Sequence, residues 1–513
     1  MLGGVALSNR NLRSGWCGAL LALLSGALLP FAFAPVNLFP LAIISPAVLF
    51  WLWLQASPRQ AFISGYLFGV GFFAVGVSWV SVSMYRFGGM GGFLSALATI
   101  LFVFFLALFP ALLGWLGRRL WGNLRQGAFV LLCLPALWVL LEWVRGWIFT
   151  GFPWLLLGYS QTDSPLSGLA AVLGVYGVSW MVAVSAGLLI CVWCSRGRSR
   201  SAALIAAVLL WSGSAGLLAV NWSQDKGRLL DVSLIQGNVP QELKWRPEQR
   251  QATIDLYTDL SRQRWERDII IWPETALPAF YHEAKAFLRS LSRDSQANGG
   301  ATLLVGLPVI PEEEKSAYYN SVVRVGEPDQ FYFKSHLVPF GEYIPFKSLL
   351  GNLLDFLRVP MANFSRGAPE QDLLDVAGVK AGVSICYEDA FGEEVIRGLP
   401  EASLLINVTN DAWFGDSLAP HQHLQMARMR SLETSRPMLR ATNNGVSAII
   451  DHRGQVLSTS PQFEVAVLDG RVQPQAGATP YVFYGNWLII PVAMLILLMC
   501  TYWGHRHCQS GIK

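Results

Sequence analysis

Eight apolar runs, each about 20 residues long, restrict this chain more than anything else in it. Inside a bilayer every backbone N–H and C=O must find its partner within the segment, so runs of this length become helices. Seven precede residue 221, at roughly 16–34, 38–56, 60–85, 92–117, 127–149, 168–194 and 201–220, and the eighth lies at 482–503. A composition of 53% hydrophobic and only 14% charged residues, with 20 Trp, agrees with a polytopic α-helical membrane domain. The first run has no small-residue cleavage site after it and a second span follows at once, so it reads as a retained helix and not as a signal peptide.

Charge is distributed unevenly. Residues 1–220 carry 11 Arg, no Lys and two acids (Glu142 and Asp163), and the segment after 480 adds Arg506 and Lys513. The overall charge of +4 therefore leaves residues 221–480 at about −7. Arg10, Arg13, Arg59, Arg118, Arg119, Arg125, Arg196, Arg198 and Arg200 fall before span one or in alternate loops, whereas the opposite loops hold Arg86 alone. Positive residues collect on the cytoplasmic side. Both termini are then expected inside, with residues 221–480 delivered to the outer face and the eighth span returning Arg506 to the cytoplasm. The expected domains are 1–220, 221–480 and 481–513. No basic surface suited to nucleic acid is present. Glu142 and Arg145, three apart, can share one helix face, and the uncharged aromatic stretch 151–161 reads as an interfacial belt. Cys191 and Cys194 close a span and read as small apolar side chains.

Within 221–480 short β-rich runs alternate with helical stretches. Strands are expected at 229–236, 268–272, 302–307, 320–325, 331–334, 379–385, 404–408, 445–450 and 465–468, and helices at 248–264, 284–295 and 421–435. That alternation predicts a layered α/β domain. Three strands end on reactive side chains: Ile269-Ile270-Ile271-Trp272-Pro273-Glu274, an aromatic strand ending at Lys334, and Gly382-Val383-Ser384-Ile385-Cys386-Tyr387-Glu388. Cys386 is the sole cysteine of residues 221–480, so no disulfide can form within them. A free thiol is only a few per cent thiolate at neutral pH and needs a base or a positive neighbour. A carboxylate, an ammonium and a thiol supply a general base, an oxyanion partner and a nucleophile for acyl transfer.

These strand ends, with Asn407-Val408-Thr409-Asn410-Asp411-Ala412-Trp413-Phe414-Gly415 after the cysteine, resemble the nitrilase superfamily of carbon–nitrogen hydrolases. The resemblance implies an αββα sandwich. The chain as a whole, including the eight-span layout, Ile235-Gln236-Gly237-Asn238, Lys244-Trp245 and the stretch from Lys334 to Glu342, resembles the apolipoprotein N-acyltransferase family. That resemblance implies a multi-pass protein of the bacterial inner membrane whose catalytic domain faces the periplasm. A phospholipid would donate an acyl chain to Cys386, and the α-amine of a diacylglyceryl-apolipoprotein would accept it, with Glu274 as base and Lys334 stabilising the oxyanion. Glu342, Glu388 and Tyr387 are implied as supporting residues and Trp245 as a tryptophan near the acyl chain. The apolar stretch holding Leu350 and Leu354 reads as a segment dipping into the outer leaflet. His421 and His423 are not spaced as metal ligands, and neither a metal nor a cofactor is expected; a monomer is. The rival reading is a membrane-tethered amidase acting on small amides, with water as acceptor.

Overall fold

The computed structural model describes residues 15–311, 317–343 and 364–510. Leu350 and Leu354 lie outside them. The chain forms two compact units, one of Met1–Trp79, Ala96–Asn221 and Tyr484–Lys513, the other of Val80–Ser95 and Trp222–Phe483.

The first unit is helical. Five helices among the described residues are long and apolar enough to cross a membrane, two further helix pairs qualify only when each is joined across a bend, and Leu41–Trp53 is a shorter apolar helix of 13 residues. The span expected at 60–85 is not one helix: Pro58–Gly76 stops, and Val80–Arg86 belongs to the other unit. The helix ends at Gly76, followed by Val77 at φ −122° and ψ 19°, and Leu155 packs so close to Gly76 that a Cβ there would lie 2.4 Å from its Cδ1. The aromatic stretch 151–161 is likewise not a belt. Trp154 and Tyr159 are buried, and Trp154 packs on Trp79 with ring centroids 5.0 Å apart. Glu142 and Arg145 explain why it folds inward. The Glu142 carboxylate accepts from the Leu157 N–H (2.9 Å), and Arg145 donates to the carbonyls of Phe152 and Trp154.

The second unit is an αββα sandwich together with a short antiparallel pair, β1 (Ser223–Asp225) and β14 (Gln475–Gly477). One sheet runs β13 (Ala466–Val472), β2 (Leu230–Gln236), β3 (Ile269–Ile271), β4 (Thr302–Val309), β5 (Tyr319–Val325), β6 (Gln330–Phe333). The other runs β12 (Val456–Thr459), β11 (Ala448–Ile450), β10 (Met438–Thr442), β9 (Leu404–Thr409), β8 (Val379–Ile385), β7 (Leu374–Val376). Each has a parallel centre, β2-β3-β4 or β8-β9-β10, flanked by antiparallel strands. Successive side chains of a strand face opposite ways, and the sequence obeys this. Val232, Leu234, Ile269, Ile271 and Leu304 of the first sheet meet Ile385, Leu404, Ile406 and Val408 of the second in one buried layer. Ile270, Leu303 and Val305 face outward onto the helices Pro247–Arg262 and Tyr281–Asn298, and Leu405 faces the helix Ala419–Thr434. Of the expected strands none covered 438–442, yet β10 sits at the centre of its sheet. Its Arg440 sets a charge inside the strand, and the residues that compensate it lie far away in the sequence.

Gly306 of β4 leaves the space in which the backbone after β3 turns. A Cβ there would stand 2.2 Å from the Pro273 carbonyl oxygen and 2.9 Å from Glu274 Cα. Gly306→Ala must push backbone and should cost about 1–3 kcal/mol of stability. Gly213, in the helix Arg198–Leu217, meets nothing within 4 Å. Gly213→Ala should leave stability unchanged or raise it by up to about 1 kcal/mol through helix propensity. Thermal unfolding of the purified protein should therefore fall by several degrees for the first variant and not for the second.

Candidate active site

Glu274 stands three residues beyond β3, Lys334 directly follows β6, and Cys386 directly follows β8, so the two sheets bring their strand ends to one place. All three side chains are nearly dry, with residue exposures of 7%, 1% and 9% respectively. An ammonium buried this deeply costs several kcal/mol unless it is compensated. Two carboxylates do so: Lys334 Nζ lies 2.9 Å from Glu342 Oε1 and 3.7 Å from Glu274 Oε1. Asn320, on β5, ties the carboxylates together by donating to Glu274 Oε1 (2.7 Å) and Glu342 Oε1 (3.2 Å). Glu342 is held in turn by the Val338 N–H at 2.8 Å. Burial opposes charge on Lys334, but Glu342 and then Glu274 outweigh it and hold the lysine pKa above its usual value. The Cys386 thiol is pushed the other way. Burial, and after it the charge of Glu274, raise its pKa well beyond a free thiol's, against the pull of Lys334. The resting site thus pairs a neutral thiol with a charged lysine, and a base must act before the sulfur can attack.

Cys386 takes φ +53°, a left-handed conformation at a residue with a side chain. Such geometry costs about 1–3 kcal/mol and persists only where its surroundings over-determine it. Glu388 is one such constraint. Its carboxylate accepts five hydrogen bonds, from Tyr332 Oη (3.0 Å), Ser335 N (2.6 Å) and Oγ (3.0 Å), His336 N (3.0 Å) and Ile385 N (2.7 Å). It therefore bolts the chain after Lys334 to the chain before Cys386. Burial keeps its pKa above the usual glutamate range, against the Lys334 charge and the backbone N–H groups.

Beneath Cys386 lies a second buried group. Arg440 Nη1 is 3.0 Å from Asp389 Oδ2 and 2.6 Å from Asn407 Oδ1, and its Nη2 is 3.2 Å from Asp411 Oδ2. His423 has Nδ1 3.2 Å from Asp411 Oδ1 and Nε2 2.8 Å from Asp389 Oδ1. Both His423 Nε2 (3.2 Å) and Asn407 Nδ2 (3.3 Å) reach the Cys386 carbonyl oxygen. The loop after β9 that carries Asp411 is buttressed from outside. Ser83 donates to the Trp413 carbonyl at 2.6 Å, and Phe87 meets the Trp413 ring at 5.4 Å.

The strand-tip residues Glu274, Lys334 and Cys386 are thus brought together, and Glu342 joins them directly. Glu388 and Tyr387 stand in the turn after the cysteine. Tyr387 is buried, its ring between His336 and Phe391 at 5.8 and 5.1 Å. Trp245 is half-buried in the turn before the helix Pro247–Arg262, next to Lys244. Lys244 Nζ donates to the Glu274 carbonyl at 3.2 Å, and burial, opposed by the Glu274 charge, lowers its pKa to about 8. Among the described residues no group of three or more His, Cys, Asp or Glu is placed to hold a metal. Sequence reasoning quoted Lys244 and Asp411 only as parts of motifs and gave no role to Asn320, Asp389 or Arg440. A polar residue inside a strand pattern, such as Asn320 or Arg440, was the available signal.

Two family models match the chain: the apolipoprotein N-acyltransferase N-terminal domain over residues 25–188, and the carbon–nitrogen hydrolase over 231–481. The apolipoprotein N-acyltransferase of Methylococcus capsulatus is 50% identical over 96% of this chain and 97% of its own, and that of Nitrosomonas europaea 45% identical over 91% and 93%. The crystal structure of a carbon–nitrogen hydrolase from Helicobacter pylori aligns with 48% of this chain and 89% of its own, at 16% identity and a TM-score of 0.37. With each half matched by its own model and half the residues shared with a relative along nearly all of both chains, this protein belongs to the apolipoprotein N-acyltransferase family.

Proposed function

We propose that this enzyme moves an acyl chain from a phospholipid, through a thioester on Cys386, to the α-amine of the N-terminal diacylglyceryl-cysteine of a lipoprotein. The observation that carries the reading is the dry grouping of Glu274, Lys334 and Glu342 with Cys386 in a chain of this family. Glu274 takes the thiol proton as Sγ adds to the ester carbonyl carbon. The resulting oxyanion is met by the Lys334 ammonium and a backbone N–H after Cys386. Collapse breaks the C–O bond, the leaving oxygen takes the proton from Glu274, and a lysophospholipid departs. The acceptor amine then adds to the thioester carbonyl and gives its proton to Glu274. Collapse releases the amide, and the sulfur recovers that proton. Two bulky lipids never need to share the site, because the thioester separates their visits.

Glu342 holds Lys334 at a fixed place and charge, so that the ammonium serves the oxyanion without reorganising. Glu388 keeps the Lys334 and Cys386 strand ends in register, and Trp245 borders the acyl chain. The seven spans expected from the sequence before the catalytic unit, with the one expected after it, would place that unit in the periplasm of a cell whose inner membrane holds both termini in the cytoplasm. The protein would act there as a monomer. Its many apolar helices favour lipid substrates over small soluble amides, since a simple tether needs one span.

Incubation with phospholipid and a diacylated lipopeptide should yield triacylated peptide and lysophospholipid in equal amounts. Cys386→Ala should abolish both products. Glu274→Gln and Lys334→Met should each lower the rate by about 100-fold or more, the loss usual for an acid–base group or an oxyanion donor. Free fatty acid without triacylated peptide would instead mark a hydrolase and refute the transfer. Orientation is checked separately in spheroplasts: an impermeant maleimide should label Glu248→Cys, an exposed position of the catalytic unit, and spare Arg198→Cys. The reverse pattern would overturn the assignment.

A further inference from the structure

The buried ionic group next to Cys386 has no task in the acyl transfer. Arg440, Asp389, Asp411, His423 and Asn407 are each at most 1% exposed, and none is required to touch substrate. Counting charge, two carboxylates against one guanidinium leave one unit of negative charge in a dry place unless His423 carries a proton. The ring geometry supplies the answer. Both imidazole nitrogens face carboxylate oxygens, Nδ1 toward Asp411 and Nε2 toward Asp389. A neutral ring would aim a lone pair at one of them, whereas the imidazolium donates to both. The protonated ring makes the quartet neutral.

The quartet connects to the nucleophile by one atom. His423 Nε2 and Asn407 Nδ2 both reach the Cys386 carbonyl oxygen, at 3.2 and 3.3 Å. Asn407 is itself fixed, accepting from Arg440 at 2.6 Å and donating to Ser384 Oγ at 3.0 Å. In a trans peptide the C=O and the following N–H point in opposite directions. Drawing the Cys386 oxygen down into the quartet therefore sets the direction of the Tyr387 N–H. That N–H is the backbone donor called on for the oxyanion, and Cys386 at φ +53° is a residue whose peptide plane needs such external restraint.

We propose that His423, clamped as an imidazolium between Asp389 and Asp411 and braced by Arg440, is a positioning residue that orients the Cys386–Tyr387 peptide plane for oxyanion stabilisation. The inference rests on the acyl-transfer reading, since it assigns the oxyanion site to the same turn. The electrostatics agree with it. Burial and Arg440 oppose protonation of His423, but the charge of Asp389 and the hydrogen bonds to both aspartates prevail and raise its pKa. Asp411, though buried, is held below the usual aspartate range by Arg440 and His423.

The test compares two reactions of the same sulfur. Acylation by phospholipid passes through an oxyanion, whereas alkylation by iodoacetamide displaces iodide and forms none. His423→Gln cannot donate to both aspartates while reaching the Cys386 carbonyl. It should slow single-turnover acylation at saturating donor on the order of 100-fold, leave the half-saturating donor concentration unchanged, and change the alkylation rate by less than about 3-fold. Asp389→Asn added to His423→Gln restores charge balance around Arg440 and Asp411. The double variant should acylate at least about 10-fold faster than His423→Gln alone, a coupling expected of groups in one network. Asp389→Asn by itself, a milder change, should show the same preferential loss of acylation if His423→Gln folds poorly. Equal losses in acylation and alkylation, no loss in either, or a loss confined to donor affinity would each overturn the proposal. The wild-type protein is the separate control. If it never carries an acyl group on Cys386, the transfer reading fails, while the alkylation rates and the coupling between His423 and Asp389 in thermal unfolding still report on the clamp. No coupling there would overturn it as well.

Discussion

The catalytic unit is organised around an ammonium in a place where water cannot solvate it. Lys334 is buried, and an unpaired charge there would be expelled or neutralised. Glu342 at 2.9 Å and Glu274 at 3.7 Å keep it charged, and Asn320 holds the two carboxylates in place. Much else follows from that requirement. The lysine must end one strand and the glutamate another of the same sheet, and the cysteine must come from the facing sheet. The backbone after β3 must turn inward past Gly306, which has no side chain to block it. The layer of Val, Ile and Leu between the sheets fixes the spacing at which these strand ends meet.

The same accounting explains two other buried charge systems near Cys386. Glu388 is fed by five donors, and Asp389 and Asp411 are matched by Arg440 and His423. Taken together, the turn from Ile385 to Asp389 is gripped on both sides, by Glu388 toward β6 and by the Arg440 group toward the helix Ala419–Thr434. A cysteine in a left-handed backbone conformation is stable only under such restraint. Removing one member of any of these sets leaves the others buried and uncompensated. Single substitutions here should therefore behave non-additively.

Much of this could be read in the sequence where local pattern decides. Apolar runs gave most helices of the first unit, short β-rich runs gave most strands, and the strand-end positions of Glu274, Lys334 and Cys386 gave the side chains that the structure brings together. What could not be read depends on partners distant in the chain. Strand β10 contains Arg440, and its partners Asp389, Asn407 and Asp411 are 29 to 51 residues away, so nothing local announces a buried strand. The stretch 151–161 looked interfacial by composition, and only the inward pull of Glu142 and Arg145 explains its burial. The run at 60–85 reads as one span because Gly76 and its neighbours are apolar. The helix ends there with Val77 leaving helical geometry, a backbone change that no apolar pattern announces.

The central claim is that Cys386 carries the acyl group between two lipids, and the most direct measurement is the intact mass of the protein after exposure to phospholipid alone. The account predicts a gain equal to one acyl chain, located on Cys386, removed by hydroxylamine and passed to a diacylated lipopeptide when one is added. An active protein that gains no such mass on the fastest accessible timescale, or that carries the acyl group on another residue, would contradict it.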